Sequence, residues 1–189
     1  MHNPPMKIGR PGPAEYGPYF ERYVSRVPEG DVLPALERQP AELRAALGAL
    51  PAERAGFRYA PDKWSVRQLV GHVVDSERVF GYRALCVARG EAANLPGFEQ
   101  TDYADQAGHD RYALEDLLGE FEAVRRANVS MLAHLDEKAV VRIGTANGLP
   151  VSVRALAFIM VGHVRHHLGV LAEKYGVGSA PGGASGARP

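Results

Sequence analysis

The chain has 189 residues, enough for one domain with a filled core and few for two, and 46% of them are hydrophobic. Lys+Arg and Asp+Glu both number 22, so the formal net charge is zero, and no block of like charge offers a groove for nucleic acid or a face for an anionic membrane. The single cysteine, Cys86, excludes an internal disulfide and a thiolate-rich zinc cage, and within Arg83-Ala84-Leu85-Cys86-Val87 it reads as a small buried hydrophobe.

The first residues, Met1 to Lys7, lack the apolar centre of a signal peptide, and the longest apolar run, residues 155–162, is too short to span a bilayer. The expected compartment is the cytoplasm, with no membrane partner. Residues 1–13 hold four prolines and residues 177–189 are mostly Gly, Ala, Ser and Pro, so both ends are expected to behave as tails.

Between them the apolar residues recur at helical spacing, with little of the alternation of a half-buried strand. Leu33, Leu36, Leu43, Leu47 and Leu50 mark a first long helix, which Pro40 should kink or split. A second has the clearest start in the chain. Ser65 and Gln68 form a capping box, Trp64 and Leu69 sit at the positions of a hydrophobic staple, and Gly90 supplies the stop after about Arg89. His72 falls in its second turn. The Gly/Pro/Asp-rich stretch 94–103 is longer than most connections, so it is either a crossover between bundle ends or a functional loop. A third helix carries Leu114, Leu117, Leu118, Phe121, Val124, Leu132 and Leu135, with Asn128 on its apolar stripe as a hydrogen-bonded core amide. Residues 145–150 make a turn, and Ser152 can cap a fourth helix that runs to about Tyr175 and stops at Gly176.

Three histidines stand out. His163 and His167 lie four apart, on one side of the fourth helix, on a stripe with Leu156, Met160, Val170 and Leu171. Two imidazoles facing a core are costly unless something satisfies their nitrogens, and a divalent cation is such a partner. His72 taken alone reads more simply as a surface or hydrogen-bonded core residue, but it is available as a third ligand. His166 offers an alternative pairing with His163, though it falls about one step off the stripe. His2, His109 and His134 sit in a tail, a polar loop and a helix end and read as solvated. Val164 follows His163 where a zinc protease needs a glutamate, which excludes that class. Asp75 and Ser76, one turn beyond His72, read as solvated or intrahelical polar groups, or alternatively as hydrogen-bond partners of a ligand ring. Tyr16, Tyr19 and Tyr23 read as packing residues or, alternatively, as the lining of a pocket.

The stretch from Lys63-Trp64-Ser65 through Gly71-His72 to Ser76-Glu77, together with Gly162-His163-Val164-Arg165-His166-His167, resembles the two helix signatures of the DinB/YfiT-like superfamily. Leu95-Pro96-Gly97-Phe98 and Gly144-Thr145-Ala146-Asn147-Gly148 share in the likeness, which covers about residues 18–176. The resemblance implies an all-α four-helix bundle over residues 14–176 with a long crossover connection, often dimeric. It implies a divalent metal, zinc, nickel or iron, on His72, His163 and His167. Relatives often carry Glu where this chain has Val164, which removes an acid from near the site but not a ligand. The expected function is a metal-dependent enzyme that activates a low-molecular-weight thiol toward an electrophilic small molecule. A hydrolase activating water and a stress-associated bundle with a structural metal are the alternatives, and a homodimer is the expected assembly.

Overall fold

A computed structural model describes residues 6–177. Four long helices carry the core: α2 (Leu33–Leu47), α4 (Val66–Ala88), α6 (Leu114–Ala133) and α8 (Val153–Tyr175). Short helices α1 (Glu21–Val24), α3 (Ala52–Ala55), α5 (Gln100–Ala107) and α7 (Glu137–Val140) lie between or before them, with three single-turn 3-10 segments and strands β1 (Asn94–Leu95), β2 (Ile143–Ala146) and β3 (Leu149–Ser152).

The helix ends obey the local signals. Ser65 Oγ accepts from the Gln68 amide at 3.0 Å and Gln68 Oε1 accepts from the Ser65 amide at 3.1 Å, closing both halves of the capping box. Ser152 Oγ accepts from the Ala155 amide at the start of α8. Beyond α4, Gly90 has φ +85°, and α8 stops at Gly176 with φ +63°, both conformations that L side chains resist.

Pro40 does not divide the first long helix: α2 is continuous through it. A proline inside a helix leaves the carbonyl four residues earlier without its amide donor. Here that carbonyl, Leu36 O, accepts from Arg125 Nη1 at 3.3 Å instead, so the helix persists because α6 satisfies the orphaned acceptor.

The order of packing is not the order of sequence. α4 packs against α6 and α8, and α2 packs against the same two, so α2 stands diagonally from α4 and α6 from α8, while α4 and α6 are neighbours. The diagonal steps are those from α2 to α4 and from α6 to α8, so the long stretch between α4 and α6 is not needed to cross the bundle. Apolar side chains from all four helices fill the interior, among them Leu36, Val70, Phe121 and Phe158. Across it runs one charged pair, Arg125 on Glu77, with Nε and Nη2 donating to the two carboxylate oxygens at 2.8 and 2.9 Å. Gln39 Oε1 accepts from Arg125 Nη1, and Asn128 Nδ2 donates to Glu77, which makes Asn128 the bonded amide expected of it.

Three expectations are corrected. The absence of strand alternation concealed a small sheet, ordered β1-β2-β3, with β1 parallel to β2 and β2 antiparallel to β3 around the turn at Asn147 (φ +51°) and Gly148 (φ +74°). Strands of two to four residues are too short to display a period. The N-terminal tail is not loose throughout: Ile8 is fully buried, its amide donates to Asp31, and its carbonyl receives the Val32 amide. Val177, placed in the C-terminal tail, is also buried, while the rest of that tail and residues 1–5 lie outside the described residues. Cys86 is half-buried against the core, close to its expected role. α8 is long and apolar enough to cross a membrane, but 61% of its most apolar window is buried among the other elements, as befits a central helix.

Candidate metal centre

The two histidine-bearing helices are neighbours, and their contact brings His72, His163 and His167 together. His72 Nε2 lies 3.1 Å from His163 Nε2, and His167 Nε2 lies 3.1 Å from the same atom. The three donor nitrogens fall within 4.8 Å of one another. His72 and His163 are buried, and His167 is half-buried.

Hydrogen bonding alone does not satisfy this arrangement. An imidazole nitrogen either carries a proton or offers a lone pair, never both. His163 Nε2 therefore cannot donate to one neighbour while accepting from the other, and a single shared proton serves one contact at a time. A cation accepts all three lone pairs at once. Two nitrogens each about 2.0–2.1 Å from one ion are separated by roughly 2.8–3.4 Å for angles between right and tetrahedral, which brackets the observed edges. Burial depresses all three basicities: His72 is pushed down to about 4, and His163 and His167 fall well below the ordinary value, with the neighbouring rings adding to the effect. The rings are thus neutral near pH 7, which is the form that ligates. The donor set fits a divalent ion of the zinc, nickel or iron type, held by nitrogen alone and keeping its full charge.

Packing fixes the rings. Trp64 lies against His72 with centroids 4.9 Å apart, and Tyr23 and Phe80 meet His163 edge-on at 5.2 and 5.6 Å. Tyr23 reaches it because Gly162 has no side chain: a Cβ there would stand 2.1 Å from the Tyr23 carbonyl oxygen, so α1 rests directly on α8 one residue before the ligand.

His72 and His163 open onto a cavity of about 350 Å³. Tyr19 and Tyr23 line it, the alternative role open to the three tyrosines, while Tyr16 is turned away, its hydroxyl donating to Glu21. Phe98 from the long connection and Asn147 from the β2–β3 turn close the far wall. Those segments are joined to each other, Asn147 N donating to Leu95 O and Gly148 N to Asn94 Oδ1. The connection 94–103 thus belongs to the site, and joins neighbouring helices rather than crossing the bundle. His167 faces a second, smaller recess beside Trp64 and Thr101.

Of the two polar groups after His72, Ser76 is buried, lines the cavity and has no hydrogen-bond partner for its hydroxyl among the described residues, whereas Asp75 points at His109, with Oδ2 3.8 Å from Nε2. His109 itself is corrected: it is buried, because the turn after α5 tucks its ring over Gly71, where a Cβ would stand 2.2 Å from Nδ1. His134 is exposed as expected, and His2 lies outside the described residues. His166 stays off the cluster, edge-on to Tyr23. Arg83 was missed. It lines the cavity on the face of α4 that carries His72, Ser76 and Phe80, and its place eleven residues after His72 was the available signal.

Comparison with known proteins agrees with this architecture. Among solved structures the chain is similar to YfiT from Bacillus subtilis, described as a probable metal-dependent hydrolase with an unusual four-helix bundle topology; the TM-score is 0.69 at 18% identity, over 77% of this chain and 86% of that one. No curated protein matches the chain. The family model of the DinB superfamily matches residues 35–171, most of the described bundle. With that match, the helix signatures and the diagonal four-helix topology in agreement, the chain belongs to the DinB superfamily.

Proposed function

We propose that the chain is a metal-dependent enzyme whose three-histidine centre activates a low-molecular-weight thiol and transfers it to an electrophilic small molecule. The observation that carries the reading is the convergence of three neutral imidazoles, two of them buried and lining a cavity large enough for a small organic molecule. A divalent cation bound there supplies a Lewis acid that makes a thiol or a water easier to deprotonate. His72, His163 and His167 hold it through side chains drawn from two helices, so the centre forms only when the bundle does. Tyr23, Phe80 and Phe98 present apolar surface that excludes water from the reacting groups, and the Ser76 hydroxyl offers a hydrogen bond beside His72. In the transfer a sulfur–carbon bond forms, the thiol proton passes to solvent, and the bond from carbon to its leaving group breaks with the electron pair departing on that group.

A thiol is favoured over water by the lining of the cavity. Its one carboxylate, Glu99, is exposed at the rim, so no buried acid stands ready as a general base, and a thiol needs less help than water to lose its proton. The hydrolytic reading draws support from the description of YfiT. The two are separated by assay. Metal-loaded protein should conjugate at least one of a panel of cellular thiols to a chromogenic electrophile, and chelation should abolish this. Failure with every thiol, combined with chelator-sensitive turnover of a chromogenic ester in the absence of thiol, overturns the transferase reading in favour of hydrolysis.

A further inference from the structure

Two arginines are buried among the described residues, and they are treated differently. Arg125 is neutralised by a two-point ion pair with Glu77 and further bonded to Gln39 and Leu36 O. Arg83 makes one hydrogen bond, Nη2 to Pro96 O at 2.7 Å, and has no carboxylate partner. Burial lowers its basicity and no neighbouring charge opposes this. Withdrawing a guanidinium from water is costly unless an anion compensates it. Holding one carbonyl explains neither the charge nor the remaining N–H groups, since a neutral amide donor would serve. The cavity wall is where the compensation is absent: Arg83 lines the same space as His72 and His163.

We propose that Arg83 binds the carboxylate of the low-molecular-weight thiol whose sulfur is delivered to the histidine centre. The inference rests on the transferase reading and deepens it by naming the substrate class, a thiol that bears a carboxylate at its far end. Length supports the assignment. His72 and Arg83 are eleven residues apart on one helix, about 16 Å of rise; both side chains lean toward the helix N-terminus and only the extra reach of the arginine shortens the gap, which leaves roughly 10–15 Å between guanidinium and imidazoles. A carboxylate meets a guanidinium edge through two parallel bonds, and Nη2, which has two hydrogens and gives one to Pro96 O, still forms an edge with Nε or Nη1 on its other side. Phe80 and Phe98 lie along the intervening wall and suit an apolar spacer.

The test compares 6-mercaptohexanoate with 6-mercaptohexanol, probes of equal length that differ in the terminal charge, by calorimetric titration of the zinc-loaded full chain. The wild type should bind the carboxylate about tenfold more tightly or better. In Arg83→Met the preference should vanish, while zinc content and affinity for the alcohol stay as they were; Arg83→Lys should keep part of it. Equal binding of the two probes by wild type overturns the inference and leaves the histidine centre standing, as does a preference that survives Arg83→Met. Absence of zinc binding, or of either thiol, overturns the transferase reading and this inference with it. Should Arg83→Met fail to fold, the wild-type pair and Arg83→Lys still decide the matter.

Discussion

His163 is the pivot of the centre, because its Nε2 is the atom from which both other nitrogens are measured. Zinc should raise the thermal midpoint of the wild type by mass action, since the folded chain presents the three nitrogens and the unfolded chain does not. His163→Ala and His72→Ala should each abolish that rise, as followed by calorimetry or circular dichroism with and without zinc; an undiminished rise in either variant would remove that residue from the ligand set. The same rings make the metal-free protein acid-sensitive. His72 titrates near 6.5 when unfolded and near 4 when folded, so the unfolded state binds the extra proton over that interval. The stability held by its neutral form is complete above about pH 6.5 and is lost as the pH falls toward 4, by about 3 kcal/mol for this one residue. Burial carries the effects of His163 and His167 in the same direction. Denaturant midpoints of metal-free protein should drop between pH 7 and pH 5, and His72→Phe should flatten that profile.

Helix ends and close contacts set where the ligands stand. α4 begins at Ser65, whose hydroxyl both caps the helix and donates to Asp110, fastening the start of α4 to the turn that carries His109. Ser65→Ala should cost about 1–2 kcal/mol, at the upper end for a cap because two contacts are lost together, measured as a shift in denaturant midpoint with unchanged slope. At the other helix, Gly162→Ala introduces a Cβ where the Tyr23 carbonyl already lies, and one of the two elements must move. The expected loss is about 1–3 kcal/mol, accompanied by weaker zinc binding as Tyr23 is displaced from the edge of His163. A variant of unchanged stability and zinc affinity would show that α1 does not brace the centre.

For the molecule as a whole, the Glu77–Arg125 pair ties α4 to α6, and through Gln39 and Leu36 O it reaches α2. Gln39 Nε2 in turn donates to Val161 O on α8, two residues before His163, so one network touches all four long helices. Glu77→Leu leaves a guanidinium buried without its partner and should cost about 3–5 kcal/mol in equilibrium unfolding, whereas Glu77→Leu with Arg125→Met should recover much of the loss. If the double variant is as unstable as the single one, the charge is not what the network compensates.

The repeat of apolar residues, the capping box at Ser65, the stop glycines and the four-residue spacing of His163 and His167 are local properties, and the sequence by itself determined them: four helices, the ends of α4 and α8 to within a residue or two, and two imidazoles on one face. Local chemistry does not report distance along an unfolded chain, so what depended on non-neighbours was decided only by tertiary structure. Pro40 sits in a continuous helix because Arg125, far away in sequence, supplies the missing donor. His109 is buried because Gly71 leaves it room, and strands too short for a period exist because Asn94 and Leu95 find Thr145 and Ala146. Arg83 lines the cavity of the histidines for the same reason: the packing of α4 against α8 and the return of residues 94–99 enclose a space whose chemistry no single segment contains.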